Sequence, residues 1–256
     1  MENLPKLHQM NPQSRFTSRA GDYAKYRPSY PDEAIDRLVA ELDNVSESVA
    51  ADIGAGTGIS SRLLADKGIK VLAIEPNAAM RQVAKPHPLV EFCDGNAENT
   101  KLPDASVDLV TCFQAFHWFN PEPTLKEFAR ILKPNGIIAL IWNDRDIDGS
   151  DLFTRQHDSI ITKASNKNPI HSRLDGKSDL QLNTLFSKVK RYSFPYQQAF
   201  ELKGLVGLAM SASYMPQTGI AYQQLIAELT DLHARHCNDK GLVHLHYQTT
   251  LYLTKL

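Results

Sequence analysis

Val49 to Ser60, V-A-A-D-I-G-A-G-T-G-I-S, holds the residues best placed to do chemistry. An apolar run ends at Asp52 and Ile53, glycines follow at 54, 56 and 58, and a helical pattern (Ile59, Leu63, Leu64) begins at once. Such glycines let the backbone turn sharply and let a ligand approach the main chain with no Cβ in the way. The free N–H groups of the next helix favour negative or electron-rich ligand groups. A dinucleotide fingerprint reads G-x-G-x-x-G, whereas this turn reads G-x-G-x-G with an aspartate two positions ahead of the first glycine. Asp52 would repel a pyrophosphate and would suit a cationic or amino-bearing ligand. Glu75 closes the next apolar run and can accept two hydrogen bonds from a ribose diol; a surface acid in a strand-to-helix loop is the plainer alternative. Two more clusters carry polar or aromatic groups, Asp94-Gly-Asn-Ala-Glu98 and Phe113-Gln-Ala-Phe-His-Trp-Phe119.

The elements that would position these groups alternate. Val49–Ile53, Lys70–Ile74, Val90–Cys93, Ser106–Gln114 and Ile137–Trp142 read as short buried strands. Between them lie helical patterns. One starts at Ile59 and stops at Gly68; another is capped by Asn77, carries Met80, Val83 and Ala84 on one face and ends at Pro86; a third opens at Asn120-Pro121 and ends at Lys133-Pro-Asn-Gly136. Pro31 stands at the first turn of an earlier helix bearing Ala34, Ile35, Leu38, Val39 and Leu42. Strand, helix, strand in this order predicts a parallel sheet, which binds ligands at the C-terminal ends of its strands. Glu75, Asn96, His117 and Trp118 all fall at that edge, although Trp118 could equally be core.

Composition excludes several function classes. The 256 residues carry 28 basic and 29 acidic side chains and 42% hydrophobic residues, so there is no surplus charge or basic track for nucleic acid. No apolar run reaches the roughly 18 residues of a membrane span, and the N-terminus has no apolar signal segment, which together predict a cytoplasmic protein. Cys93, Cys112 and Cys237 form no C-x-x-C pair and read as small buried residues in a reducing compartment. Tyr23, Tyr26 and Tyr30 with Arg19 and Arg27 make either a flap over a ligand or a packed surface arm. Beyond Asp146 the pattern predicts helices over 152–164, 201–209 and 222–236 and a strand over 189–194. It also predicts a last strand over 242–254, with Val243, Leu245, Tyr247, Leu251 and Leu253 on one face. His244 and His246 continue its polar face, so no metal site is expected.

In this order and at these distances, Asp52-Ile-Gly-Ala-Gly-Thr-Gly58, Glu75-Pro-Asn77, Asp94-Gly-Asn-Ala-Glu98 and Phe113-Gln-Ala-Phe-His-Trp-Phe119 closely resemble class I S-adenosylmethionine-dependent methyltransferases. Tyr23-Ala-Lys-Tyr-Arg-Pro-Ser-Tyr-Pro31, Phe116-His-Trp118 and Ser211-Ala-Ser-Tyr-Met-Pro216 look like the trans-aconitate methyltransferase-like group of small-molecule enzymes. The resemblance implies a Rossmann-like, doubly wound α/β fold: a mostly parallel seven-stranded sheet with an antiparallel last strand and a helical cap. It implies a single domain, with the cofactor core at 32–145, a cap from the arm 15–31 and from 146–220, and the last strand at 242–254.

The same resemblance implies roles for individual residues. Gly54 and Gly56 would face the methionine part of S-adenosylmethionine and Asp52 its amino group, directly or through water. Glu75 would take the ribose hydroxyls, and Pro76 and Asn77 would lie beside the adenine. Ala97 would contact the adenine by its backbone, Asn96 would accept from the adenine amine, and the main chain of Gln114 would meet the methionine amine. Tyr23 and Arg27 would border cofactor and acceptor alike. Tyr26, Trp118 and Tyr214 would shape the acceptor pocket, with Arg27, His117 and Tyr214 closest to the chemistry. A carboxylate acceptor, ionised at neutral pH, needs no base; a hydroxyl or amine acceptor would need one, for which His117 is the candidate. An NAD-dependent oxidoreductase and a non-catalytic nucleotide-binding module stand as the other classes. The expected partner is a small molecule, and the expected state a monomer or homodimer.

Overall fold

The computed structural model describes residues 7–9, 11, 13, 14, 16–165 and 188–255. Seven strands form one sheet: β1 Val49–Ile53, β2 Lys70–Ile74, β3 Val90–Cys93, β4 Val107–Phe113, β5 Leu132–Arg145, β6 Lys190–Phe200 and β7 Val243–Lys255. Their order is β3-β2-β1-β4-β5-β7-β6. β1 through β5 pair in parallel, and β7 runs antiparallel to both β5 and β6. The chain therefore winds outward from β1 to β3, then returns to β4 on the other side of β1. At that reversal the loops leaving β1 and β4 diverge and open a crevice.

Among the described residues eight α-helices surround the sheet: α1 Ala20–Tyr26, α2 Asp32–Val39, α3 Ile59–Asp66, α4 Ala78–Gln82, α5 Pro121–Ile131, α6 Leu152–Ala164, α7 Leu202–Ser211 and α8 Gly219–His236. Strand residues alternate between two apolar layers, as a sheet covered on both faces requires. Ile138, Leu140 and Trp142 pack with Leu125, Phe128 and Ile131 of α5, while Ala139 and Ile141 pack with Ile35, Leu38 and Leu64 of α2 and α3. A third cluster joins α6, α7 and α8 to the start of β7 through Phe153, Leu205, Leu208, Leu229 and Leu245. This cap overhangs the end of the sheet where the crevice opens; the part of the expected cap at 166–187 lies outside the described residues.

The structure revises several predicted boundaries. Leu132 ends no helix; it is already extended and pairs with Val107, and the register shifts before Leu109 pairs with Ile137, so Lys133–Gly136 are taken up in the strand. β5 then continues to Arg145, three residues past the predicted end at Trp142, because β7 runs beside it that far. α2 stops at Val39, short of Leu42, and Pro31 is its N-cap rather than its first helical residue. α4 is a single turn ending at Gln82, so Val83 is 39% exposed and only Met80 of the expected face is buried. β6 runs on to Phe200 with Pro195 inside it, a position open to proline because β6 is the sheet's edge.

Candidate active site

The crevice is a cavity of about 680 Å3. On one side stands the glycine turn. Gly54 and Gly56 take left-handed backbone angles, φ 70° and 58°, and a Cβ on Gly54 would lie 2.8 Å from the Ala115 Cβ. With that turn made, the Gly54 and Ala55 N–H groups donate to the Ile74 carbonyl at 2.9 and 3.2 Å. The Gly56 N–H reaches the Glu75 carboxylate at 2.9 Å, and the other carboxylate oxygen accepts the Asn77 N–H at 2.8 Å. Glu75 thus ties the loop after β1 to the loop after β2. Burial raises its pKa, and the two N–H donors oppose that shift. Each carboxylate oxygen offers two lone pairs, so each keeps one for a ligand. Pro76 and Asn77 line the same wall, with the Asn77 Oδ1 capping α4 and its Nδ2 donating to Thr17 Oγ1 at 3.0 Å.

Two expected cofactor residues are placed otherwise. Asp52 does not line the cavity. It is fully buried behind the turn, its Oδ2 accepting from Ser60 and Ser61 Oγ at 2.6 Å each and its Oδ1 from Thr111 Oγ1 at 3.0 Å. Burial raises its pKa against the pull of the three hydroxyls. Its work is to lock the first turn of α3 to β1 and β4. Asn96 does line the cavity, but both lone pairs of its Oδ1 are taken, by the N–H groups of Glu98 at 3.1 Å and Asn99 at 2.8 Å. What Asn96 can offer a ligand is its amide N–H, a donor where an acceptor was expected. Ala97 lies beside it in the wall, and Gln114 opposite, with φ 54° and its Nε2 donating to the Asn143 carbonyl at 2.7 Å.

The far half of the cavity is built from the N-terminal arm, the loop after β4 and the cap. Tyr23, Arg27, His117, Trp118 and Tyr214 all line it, in line with what the resemblance implied for them. Arg27 caps α1, and its guanidinium stacks over the Tyr23 ring at 4.9 Å while its buried Nε has no hydrogen-bond partner among the described residues. His117 is half-buried, with its enclosed Nδ1 unpartnered among the described residues, and desolvation, helped by the Arg27 charge, lowers its pKa to about 4. It is therefore a neutral imidazole at physiological pH. Trp118 closes the floor against Leu7, Phe16 and Tyr214. The arm is held over the cavity by Arg19, which donates to the carbonyls of Met210, Ala212 and Met215.

Tyr26 is the exception among the expected acceptor residues. It turns away from the cavity and fills the groove between α1 and α7, where a Cβ at Gly207 would run into its ring. Tyr30 of the same arm does line the cavity, and so do Asn143, Arg145 and Tyr247, which were not singled out from sequence as site residues. Arg145 had a legible signal, its place at the C-terminal end of β5, hidden only by ending that strand early. Tyr247 was assigned to the apolar face of β7, where a phenol oxygen always needs an explanation.

Among the described residues no His, Cys, Asp and Glu side chains cluster in a set of three or more that could hold a metal ion, and no helix is long and apolar enough to cross a membrane.

Residues 51–140 match the family model described as a methyltransferase domain. An uncharacterized methyltransferase of Mycobacterium tuberculosis is 32% identical over 232 residues, covering 89% of this chain and 90% of the relative. The chain belongs to the methyltransferase family. An uncharacterized methyltransferase of Schizosaccharomyces pombe is 41% identical over 133 residues, about half of each protein. A methyltransferase of Thiobacillus denitrificans, solved with S-adenosyl-L-homocysteine, has the same fold at 17% identity, with a TM-score of 0.53 over 94% of this chain and 98% of that one. As a methyltransferase built on this doubly wound sheet, the protein uses S-adenosylmethionine. Its cavity fits that group: Glu75 keeps free acceptor capacity, Gly56 lines the wall in a left-handed turn where a Cβ would stand 3.4 Å from the Met80 methyl, and the buried Thr57 Oγ1 in the same wall has no hydrogen-bond partner among the described residues.

Proposed function

We propose that this methyltransferase methylates an oxygen of a small carboxylic acid. The observation that carries the reading is Arg27, a guanidinium lining the cavity whose buried Nε has no hydrogen-bond partner among the described residues. Arginine pairs with carboxylates through parallel N–H···O bonds. The cavity is roofed by the arm and the cap, which suits a small acceptor and shuts out water. The motifs Tyr23–Pro31 and Phe116–Trp118, similar to those of the trans-aconitate methyltransferase-like group, support the same reading.

Glu75, the Gly54–Gly56 turn, Pro76, Asn77, Asn96, Ala97 and Gln114 would hold S-adenosylmethionine, which supplies an electrophilic methyl group on a sulfonium sulfur. Arg27, Tyr23, Trp118 and Tyr214 would align the acceptor. The alternative, a hydroxyl or amine acceptor deprotonated by His117, is disfavoured by the same desolvation that keeps His117 neutral. A base whose conjugate acid has a pKa of about 4 is some two to three orders of magnitude weaker than an ordinary imidazole.

Incubation with methyl-labelled S-adenosylmethionine and a pooled metabolite extract should move label into base-labile methyl esters of small acids. Label in protein, nucleic acid or base-stable ethers and amines would refute the reading. With the acceptor in hand, Arg27→Ala should lose acceptor affinity, and the rate between about pH 6 and 9 should stay flat in both the wild type and His117→Ala, because the carboxylate is ionised throughout.

A further inference from the structure

Arg145 and Tyr247 are direct cross-strand partners of β5 and β7, so their side chains leave the sheet on the same face. Both line the cavity. Tyr247 is 4% exposed, yet its hydroxyl has no hydrogen-bond partner among the described residues. A buried phenol left unpaired costs stability, and one facing a ligand cavity has a reason to be there. Its pKa is raised, by burial above all and against the pull of Arg145 and Arg27, so it stays protonated and can donate. The Arg145 Nε is held by Asp158 Oδ1 of α6 at 2.7 Å, which fixes the guanidinium and leaves its Nη donors for another acceptor. The carboxylate of Asp144 also borders this part of the cavity, and its residue is exposed.

Charge bookkeeping decides what these two residues can hold. Methylating a carboxylate oxygen forms one O–C bond and breaks one S–C bond; a carboxylate and a sulfonium become a neutral ester and a neutral thioether, and no proton moves. Every cation bound to the reacting oxygens binds the starting state better than the transition state, which slows the step. One arginine there serves alignment. A second, buttressed by a carboxylate and paired with a neutral donor, is useful only on an acidic group that keeps its charge throughout.

We propose that Arg145 and Tyr247 form a second acid-binding subsite, separate from the Arg27 guanidinium, that selects acceptors carrying an acidic group apart from the one methylated. This rests on the carboxylate reading above. The pair are specificity-determining residues: the Arg145 guanidinium and the Tyr247 O–H both donate to the spectator acid, and Asp158 positions Arg145 for it.

The test uses the full-length protein saturated with S-adenosylhomocysteine and titrated calorimetrically with glutarate, which has two carboxylates, and butyrate, which has one. The wild type should bind glutarate at least roughly tenfold more tightly than butyrate. Tyr247→Phe and Arg145→Gln should each remove most of that difference while leaving butyrate and S-adenosylhomocysteine affinities unchanged; Arg145→Lys should recover part of it. Arg145→Gln keeps the test open if the tyrosine variant folds poorly. Equal binding of the two acids, or a glutarate preference that survives both substitutions, overturns the subsite and leaves the carboxylate reading standing. If neither acid binds while S-adenosylhomocysteine does, the subsite is overturned, and the label-transfer experiment decides separately whether a carboxylate is the acceptor.

Discussion

The carboxylate of Glu75 accepts the Gly56 N–H at 2.9 Å, across a gap of nineteen residues in sequence. One side chain thereby sets the spacing of the two loops that flank the cofactor half of the cavity. Glu75→Ala removes the acceptor for the Gly56 and Asn77 N–H groups as well as the proposed ribose contact, and should weaken S-adenosylhomocysteine binding by about 1–3 kcal/mol. Glu75→Gln has a single acceptor oxygen and should fall between. Calorimetric titration of both variants checks the order; an alanine variant with wild-type affinity would remove Glu75 from the site.

Asp52 leads to the opposite expectation. Its three hydroxyl partners are protein groups, and it does not reach the cavity. Asp52→Ala strands the Ser60, Ser61 and Thr111 hydroxyls in the core and should lower stability by about 2–4 kcal/mol in urea unfolding. The affinity of the folded protein for S-adenosylhomocysteine should move far less than in Glu75→Ala. A large loss of affinity at unchanged stability would restore Asp52 to the cofactor.

His117 makes the free protein acid-sensitive. Its pKa falls from 6.5 in the unfolded chain to about 4 in the fold, because desolvation and the Arg27 charge disfavour the imidazolium. Between those values the unfolded state binds more protons, so stability rises with pH. The contribution is complete above pH 6.5 and is lost as pH falls toward 4, amounting at most to roughly 3 kcal/mol. The check is the difference in unfolding free energy between wild type and His117→Gln as a function of pH, which cancels the carboxylates common to both. A difference that does not change across this window would show that His117 is not held neutral.

Two helical glycines should respond to alanine with opposite signs. At Gly21 of α1 a Cβ meets nothing within 4 Å, so Gly21→Ala should gain about 0.5–1 kcal/mol from helix propensity. At Gly207 of α7 a Cβ runs into the Tyr26 ring, so Gly207→Ala should lose about 1–3 kcal/mol despite the same propensity gain. Paired thermal melts read the sign directly. Stabilisation at Gly207 would mean that α1 and α7 do not pack as described.

How far the sequence was legible depended on whether a feature is local. The five parallel strands followed from short apolar runs bounded by turn residues. The glycine turn followed from its glycines, and the Asn77 cap from a side chain that bonds within three residues of itself. The strand ends were misjudged where a distant partner sets them: β5 reaches Arg145 because β7, a hundred residues later, pairs with it there. Asn96 was given the wrong hydrogen-bonding role because its own following backbone claims the oxygen.

Sequence alone determined the class of the sheet and Gly54, Gly56, Glu75 and His117 as residues at the C-terminal edge of its strands, because period, turn chemistry and charge are properties of neighbours in the chain. Only tertiary structure decided which way side chains of similar type face. Asp52 and Glu75 each stand at a strand's end, and Tyr23 and Tyr26 lie three residues apart on one helix, yet one of each pair faces the cavity and the other packs elsewhere. What separates them is the partner that arrives from far away: the Thr111 hydroxyl from β4 for Asp52, and the groove at Gly207 of α7 for Tyr26. The same holds for Arg145 and Tyr247, which meet only because two strands distant in sequence choose one antiparallel register.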